Sequence, residues 1–182
     1  MTLPLVQKSL FPALRACSRC GVTPTRYLLA VQIARQTTAL FQREKGSYEL
    51  RKIFRCSTSK YGIGETAGSN MTPRGLHRIA RKIGDGWPVG VVFEGRQVVG
   101  FTWQGKPSAR IAHRILWLEG LEPGLNRGGN VDSFERYIYI HGTGNEMTLG
   151  RPDSHGCVHL SANDLLPLYD KLPVGTLVWM ST

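Results

Sequence analysis

With 182 residues the chain has room for one ordinary domain with a real core, and no repeat or low-complexity run divides it. A composition of 41% hydrophobic and 20% charged residues with 21 glycines excludes a disordered or fibrous chain and describes a globular protein rich in turns. The formal charge of +10 favours acidic or carboxylate-rich partners, which sets a field and not a function.

Residues 1–25 read as a loose basic leader and 26–182 as the single domain. An export signal needs an uninterrupted apolar stretch of roughly 7 to 15 residues. Here Leu3-Pro4-Leu5-Val6 is broken by Gln7-Lys8, and Leu10-Phe11-Pro12-Ala13-Leu14 by Arg15. Leu14-Arg15-Ala16-Cys17 resembles a lipoprotein cleavage box, but its arginine and the short apolar run before it argue against processing. No run approaches the roughly 18 apolar residues of a membrane span, so no stable insertion is expected. The expectation is a cytoplasmic location, with the periplasm or cell envelope as the alternative.

Cys17, Cys20, Cys56 and Cys157 are too few and too unevenly placed for a disulfide framework. Cys17-Ser18-Arg19-Cys20 is a lone CxxC without the second pair a zinc site needs or the βαβ context of a redox site.

The body reads mostly as strands. Arg26 to Ala34 and Thr38 to Gln42 carry apolar and β-branched residues around a turn at Arg35-Gln36-Thr37, which predicts a hairpin. A third strand, Tyr48 to Ser57, ends near Cys56, which is expected to be a buried, inert thiol. Ser59 to Asn70 is glycine-rich but lacks any phosphate-cradle spacing and reads as a surface loop leading to a turn at Pro73 and Gly75 and a new strand. Val89 to Phe93 and Val98 to Phe101 flank a hairpin loop, and Ile111 to Leu118 reads as a buried strand. Gly120 to Asp132 is a long loop of the kind that often serves as a lid or binding loop.

Arg136 to His141 alternates aromatic and β-branched residues and stops at a histidine. After the cysteine, Ser161-Ala162-Asn163-Asp164 resembles a capping box opening a helix to about Lys171. Pro167 would lie past the first turn of that helix, which favours Asp164 as its N-cap. A last strand, Thr176 to Met180, completes a mainly β fold, an antiparallel sandwich or barrel-like domain with one short helix after the cysteine.

Two blocks carry the chemistry: His141-Gly142-Thr143 and Ser154-His155-Gly156-Cys157-Val158-His159. Cys157 follows His141 by sixteen positions, so the two meet only if the intervening glycine-containing loop folds back. A thiol with a reference pKa of about 8.5 is mostly protonated at neutral pH, and a neighbouring imidazole activates it. His141, at a strand end facing loops, is the expected base for a Cys157 nucleophile; His155 competes for that role, and the sequence does not separate them. Gly156 permits a tight backbone that aims the Gly156 and Cys157 N–H groups at an oxyanion, with Ser154 and His155 fixing the loop by hydrogen bonds. Gly142, Thr143 and His159 are the substrate-binding candidates.

Together with Thr72-Pro73-x-Gly75, Leu149-Gly150 and Val174-Gly175-Thr176-x-Val178, these blocks resemble the YkuD-type L,D-transpeptidase catalytic domain over about Tyr27 to Met180. The resemblance implies thiolate attack on the peptide bond between the L centre of a diamino acid and a terminal D-alanine of a peptidoglycan stem tetrapeptide. A thioester forms and D-alanine leaves. An amine resolves the thioester in a transpeptidase, water in an L,D-carboxypeptidase of murein recycling, the branch a cytoplasmic location favours. No cofactor, metal or nucleic-acid partner is expected. One departure stands out: many members carry arginine or asparagine two residues after the cysteine, where this chain has His159. Two rivals follow from the residues themselves. His155, Cys157 and His159 alternate as zinc ligands on a strand would, with His141 as a fourth. The basic charge also suits a non-catalytic module that binds a polymer.

Overall fold

The computed structural model describes residues 10–182. The apolar stretch at Leu3 to Val6 lies outside them. Strand β1 (Tyr27–Gln32), β2 (Thr37–Glu44) and β3 (Ser47–Arg55) form the expected antiparallel meander, its first turn a short 3-10 segment closed by Gln36 in the left-handed region. Strands β4 (Gly75–Ile83), β5 (Val91–Glu94), β6 (Gln97–Phe101) and β7 (Ala112–Gly120) follow. Next come β8 (Tyr139–Gly142), β9 (Val158–Leu160) and β10 (Leu177–Ser181). They build one sheet in the order β3-β2-β1-β10-β4-β7-β5-β6. The sheet branches at β7, which also pairs with β8, and β8 in turn holds β9. The fold is mainly β, as the sequence implies. The sheet stays open, and two of its pairings, β1 with β10 and β8 with β9, are parallel.

β1 shows why the chain needs cover on both faces. Its residues alternate between two cores: Leu29 and Val31 join one, Leu28 and Ala30 the other. A strand buried on both sides reads as a continuous apolar run, which is what Tyr27 to Val31 is. The first core is closed by helix α2 (Ala162–Lys171) through Leu165, Leu168 and Tyr169. The second is closed by helix α1 (Leu10–Arg19), whose Ala13, Ala16 and Cys17 lie against Leu28, Phe41 and Leu76.

The leader is therefore not loose over Leu10–Arg19. Positions 13, 16 and 17 share one helical face, and small residues there let the helix approach the sheet closely. Arg19 fastens its end to Glu122 at 2.5 Å. Cys17 is a packing residue here, and burial raises both its pKa and that of Cys20.

Two further expectations change. The N-cap of α2 is Ser161, not Asp164: Ser161 Oγ accepts the Asp164 N–H at 3.2 Å and donates to Asp164 Oδ2 at 2.8 Å. Pro167 lies inside the helix, on its exposed face. The long loop after β7 is anchored at its centre and not a free lid. Asn126, fully buried, accepts the Glu122 N–H at 2.9 Å and donates to Arg74 O at 2.8 Å, fastening the loop to the start of β4.

Candidate active site

Strand β8 brings the first block into position. Ile140 points into the first core beside Val158, so its neighbours Tyr139 and His141 face the other way. His141 pairs with Ile115 on one side and His159 on the other. The parallel register with β9 sets the His141 and His159 rings 4.7 Å apart. The sequence predicts no strand between the cysteine and the helix that follows it. β9 is only three residues long, too short for periodicity to reveal.

His141 is 2% exposed, and its Nδ1–H donates to the Gly142 carbonyl at 2.8 Å. That bond fixes the tautomer and leaves Nε2 as an unprotonated acceptor toward the cleft. Desolvation, followed by the neighbouring His159, drives its pKa down to about 3. Gly142 is required by crowding from β7, since a Cβ there would lie 2.3 Å from His113 Cδ2 and 2.6 Å from Ala112 O. It contributes its carbonyl to the histidine, while Thr143 stands on the cleft wall.

Cys157 is half-buried, at the border of the apolar cluster of Val91, Phe93, Ile115, Trp117 and Tyr139. Its Sγ–H donates to Tyr137 O at 3.4 Å. Tyr137 holds that carbonyl in place with a φ of 56°, a left-handed conformation uncommon for a bulky aromatic residue. Desolvation pushes the thiol up to about 11, against smaller opposing effects from the Tyr139 backbone and the Arg136 charge. At rest the thiol and the His141 imidazole are therefore both neutral.

The nucleophile loop is braced from within and from behind. Ser154 Oγ donates to Cys157 O at 2.6 Å and accepts the Gly156 N–H at 3.2 Å. The Gly156 amide is thus committed to Ser154, contrary to the expectation that it points at an oxyanion. Among the described residues the Cys157 N–H meets no protein acceptor. Gly156 has a φ of +120°, and a Cβ there would approach Met71 O to 3.2 Å.

Behind it, the segment from Ser57 to Thr72 acts as a clamp, although the sequence predicts a surface loop over Ser59 to Asn70. Ser57 exchanges backbone bonds with His159, Thr58 O accepts the Asp153 and Ser154 N–H groups, and Lys60 N–H donates to Ser154 O at 3.1 Å. Thr72 Oγ1, fully buried, donates to Gly156 O at 3.0 Å while accepting the Ser59 N–H at 3.0 Å. Arg136 ties the far side of the clamp with bonds to the Glu65 and Met71 carbonyls at 2.6 and 2.7 Å. These residues come from loops distant in sequence. The Thr72-Pro73-x-Gly75 block was the only signal that could have found any of them.

Cys157, His141, His155 and His159 line one cleft of about 360 Å³, and Lys60 and Arg110 complete its rim. His155 is exposed and lies edge-on to Tyr61 at 5.5 Å, making no hydrogen bond among the described residues. Its pKa is lowered by desolvation and then by the charges of Lys60 and Arg110, with Asp153 acting the other way. His159 is 7% exposed and its Nδ1 has no partner; burial drives it down to about 4. Among the described residues no three His, Cys, Asp or Glu side chains converge as a metal site would need. Cys56 is buried, with burial driving its thiol up to about 12, and takes no part in the cleft. No helix among the described residues is long and apolar enough to cross a membrane.

An open, mainly β sheet thus carries a His-Gly-Thr strand end beside a Ser-His-Gly-Cys loop, with His141 and Cys157 on one cleft. The family model of the L,D-transpeptidase catalytic domain (YkuD) matches residues 26–180, and the chain belongs to that family. Solved structures agree in fold. An L,D-transpeptidase from Mycobacterium smegmatis is 21% identical over 86% of this chain and 59% of its own, with a TM-score of 0.50. L,D-transpeptidase 3 from Mycobacterium tuberculosis is 13% identical over 86% of this chain and 61% of its own, with a TM-score of 0.53. The chain thus spans about three fifths of each of these structures. No curated protein matches it.

Proposed function

We propose that the protein is a cysteine-dependent acyl transferase acting on the stem tetrapeptides of peptidoglycan, with Cys157 as nucleophile and His141 as base. The observation that carries this reading is the His141 Nδ1–H bond to Gly142 O, which leaves Nε2 free to take a proton in the cleft that holds Cys157.

Both groups are neutral at rest, so attack and proton transfer go together. The thiol leaves the Tyr137 carbonyl and passes its proton to His141 Nε2. Sγ forms a bond to the carbonyl carbon of the residue before the terminal D-alanine. The oxyanion is met by the Cys157 N–H, the loop amide without a protein acceptor. Collapse of the adduct breaks the C–N bond, and the imidazolium returns its proton to the departing D-alanine amine. A thioester on Cys157 remains. An incoming amine or water then attacks the thioester carbonyl and loses a proton to His141 Nε2; the C–S bond breaks, Sγ takes that proton back, and the product is a cross-link or a trimmed tripeptide.

The test is incubation of the protein and of a Cys157→Ala variant with free tetrapeptide and with cross-linkable muropeptides. The expected result is D-alanine release by the parent protein alone. Accompanying cross-links assign a transpeptidase; tripeptide without cross-links assigns a carboxypeptidase. No release from either substrate, with the variant indistinguishable, overturns the proposal.

A further inference from the structure

The cleft holds more positive charge than the proposed chemistry at Cys157 uses. Lys60 comes from the clamp segment and Arg110 from the loop before β7, so two unrelated parts of the chain place cations on one rim. Both side chains are exposed, and neither takes part in an ion pair among the described residues. Lys60 Nζ lies over the Tyr61 ring, 5.3 Å from its centroid, and Tyr61 in turn meets His155. Both charges are felt at His155, a member of the nucleophile loop. Asp153 is the one carboxylate on the cleft wall, against two cations.

We infer that Lys60 and Arg110 form a carboxylate-binding subsite that anchors the acyl-donor peptide beside Cys157, a role that rests on the reaction proposed above. The donor carries carboxylates at its C terminus and on its side chains, and the shared chemistry is recognition of such a group by an ammonium and a guanidinium. His159 does not supply that charge. It is buried and neutral at physiological pH, and its unpartnered Nδ1 is left for a neutral hydrogen bond. The basic character read from the sequence thus acquires a local use at the rim.

The subsite is tested by calorimetric binding of tetrapeptide to the full chain carrying Cys157→Ala, which cannot turn it over. The comparison adds Lys60→Gln and Arg110→Gln to that background. Both side chains are exposed, and the Lys60 backbone bond to Ser154 is untouched, so thermal melting should match the parent. Peptides with each carboxylate amidated in turn form the arms. Each substitution is expected to weaken the free-acid peptide about tenfold, the effect of one charge-assisted hydrogen bond, and less at high salt. Amidation of the recognised carboxylate should produce the same loss, after which the substitutions add nothing. That arm identifies whether the C terminus or a side chain is held. The inference is overturned if the substitutions leave the free-acid peptide unaffected, or weaken every amidated form as much as the acid. Turnover that depends on Cys157 but shows no such charge dependence defeats the subsite alone. Charge-dependent binding without Cys157-dependent release defeats the catalytic reading alone.

Discussion

Two buried histidines, His77 on β4 and His141 on β8, start from the same arrangement and end differently. Each is almost inaccessible, each donates Nδ1–H to a backbone carbonyl (Gly75 O at 3.0 Å, Gly142 O at 2.8 Å), and each is held neutral by burial. His77 Nε2 then accepts from Ser133 Oγ at 2.9 Å, so every polar atom of the ring is spent. His141 Nε2 has no protein partner among the described residues, and its ring lines the cleft of Cys157. The unspent nitrogen is the difference between a histidine that holds a fold together and one equipped to move a proton.

The largest effect expected from this contrast is at His141. Replacing it with glutamine should lower kcat/KM by about two to four orders of magnitude, the usual contribution of a positioned acid–base group, while the melting temperature changes little. Replacing His77 with alanine should do the reverse. It leaves Ser133 Oγ and Gly75 O without their partner, at ~1–3 kcal/mol for each buried group, and the urea midpoint should fall while the remaining folded protein keeps its activity.

A pH series sharpens the same comparison. His77, His141 and His159 have folded pKa values of about 4, 3 and 4, against about 6.5 in an unfolded chain. Above pH ~6.5 neither state binds these protons and the three residues add no pH dependence. As the pH falls below that value the unfolded chain takes up protons that the fold refuses, so stability declines until the folded pKa values are reached. For His77 alone the depression corresponds to about 3 kcal/mol. Unfolding midpoints should therefore be flat above neutrality and drop between pH ~6.5 and ~4. Activity, read on the protein that remains folded, should keep its base through that window, with an acid limb at about pH 3, where His141 takes up its proton, and none near 6.5.

A smaller effect is expected at the clamp. Thr72→Val keeps the shape but removes the hydroxyl that joins Ser59 N–H to Gly156 O. The two backbone groups it leaves unpaired should cost ~1–3 kcal/mol each. The expected result is a several-fold drop in kcat with the fold retained, checked by steady-state kinetics alongside circular dichroism.

What could be read from the sequence follows the same division between local and distant determinants. That His141 and Cys157 share one cleft was legible because each lies in a dense local block of chemistry-bearing residue types. The strands were legible where burial on one or both faces leaves an apolar pattern, as in β1, β2 and β7. Helix α1 was missed because its buried face is Ala13, Ala16 and Cys17, residues too small to stand out as a hydrophobic stripe. Lys60 and Arg110 could not be placed on the cleft, nor Thr72 behind the nucleophile loop, since each arrives there only through contacts between segments distant in sequence. The commitment of the Gly156 amide to Ser154 depends on a side-chain rotamer, which no spacing encodes.

The central claim, a thioester on Cys157 formed with His141 as base, is tested most directly by intact-mass measurement of the protein quenched in acid shortly after mixing with tetrapeptide. The predicted result is an added mass equal to the peptide less D-alanine, located on Cys157, absent from Cys157→Ala and formed far more slowly by His141→Gln. D-alanine release that continues unchanged in Cys157→Ala, with no adduct on that residue in the parent protein, would contradict it.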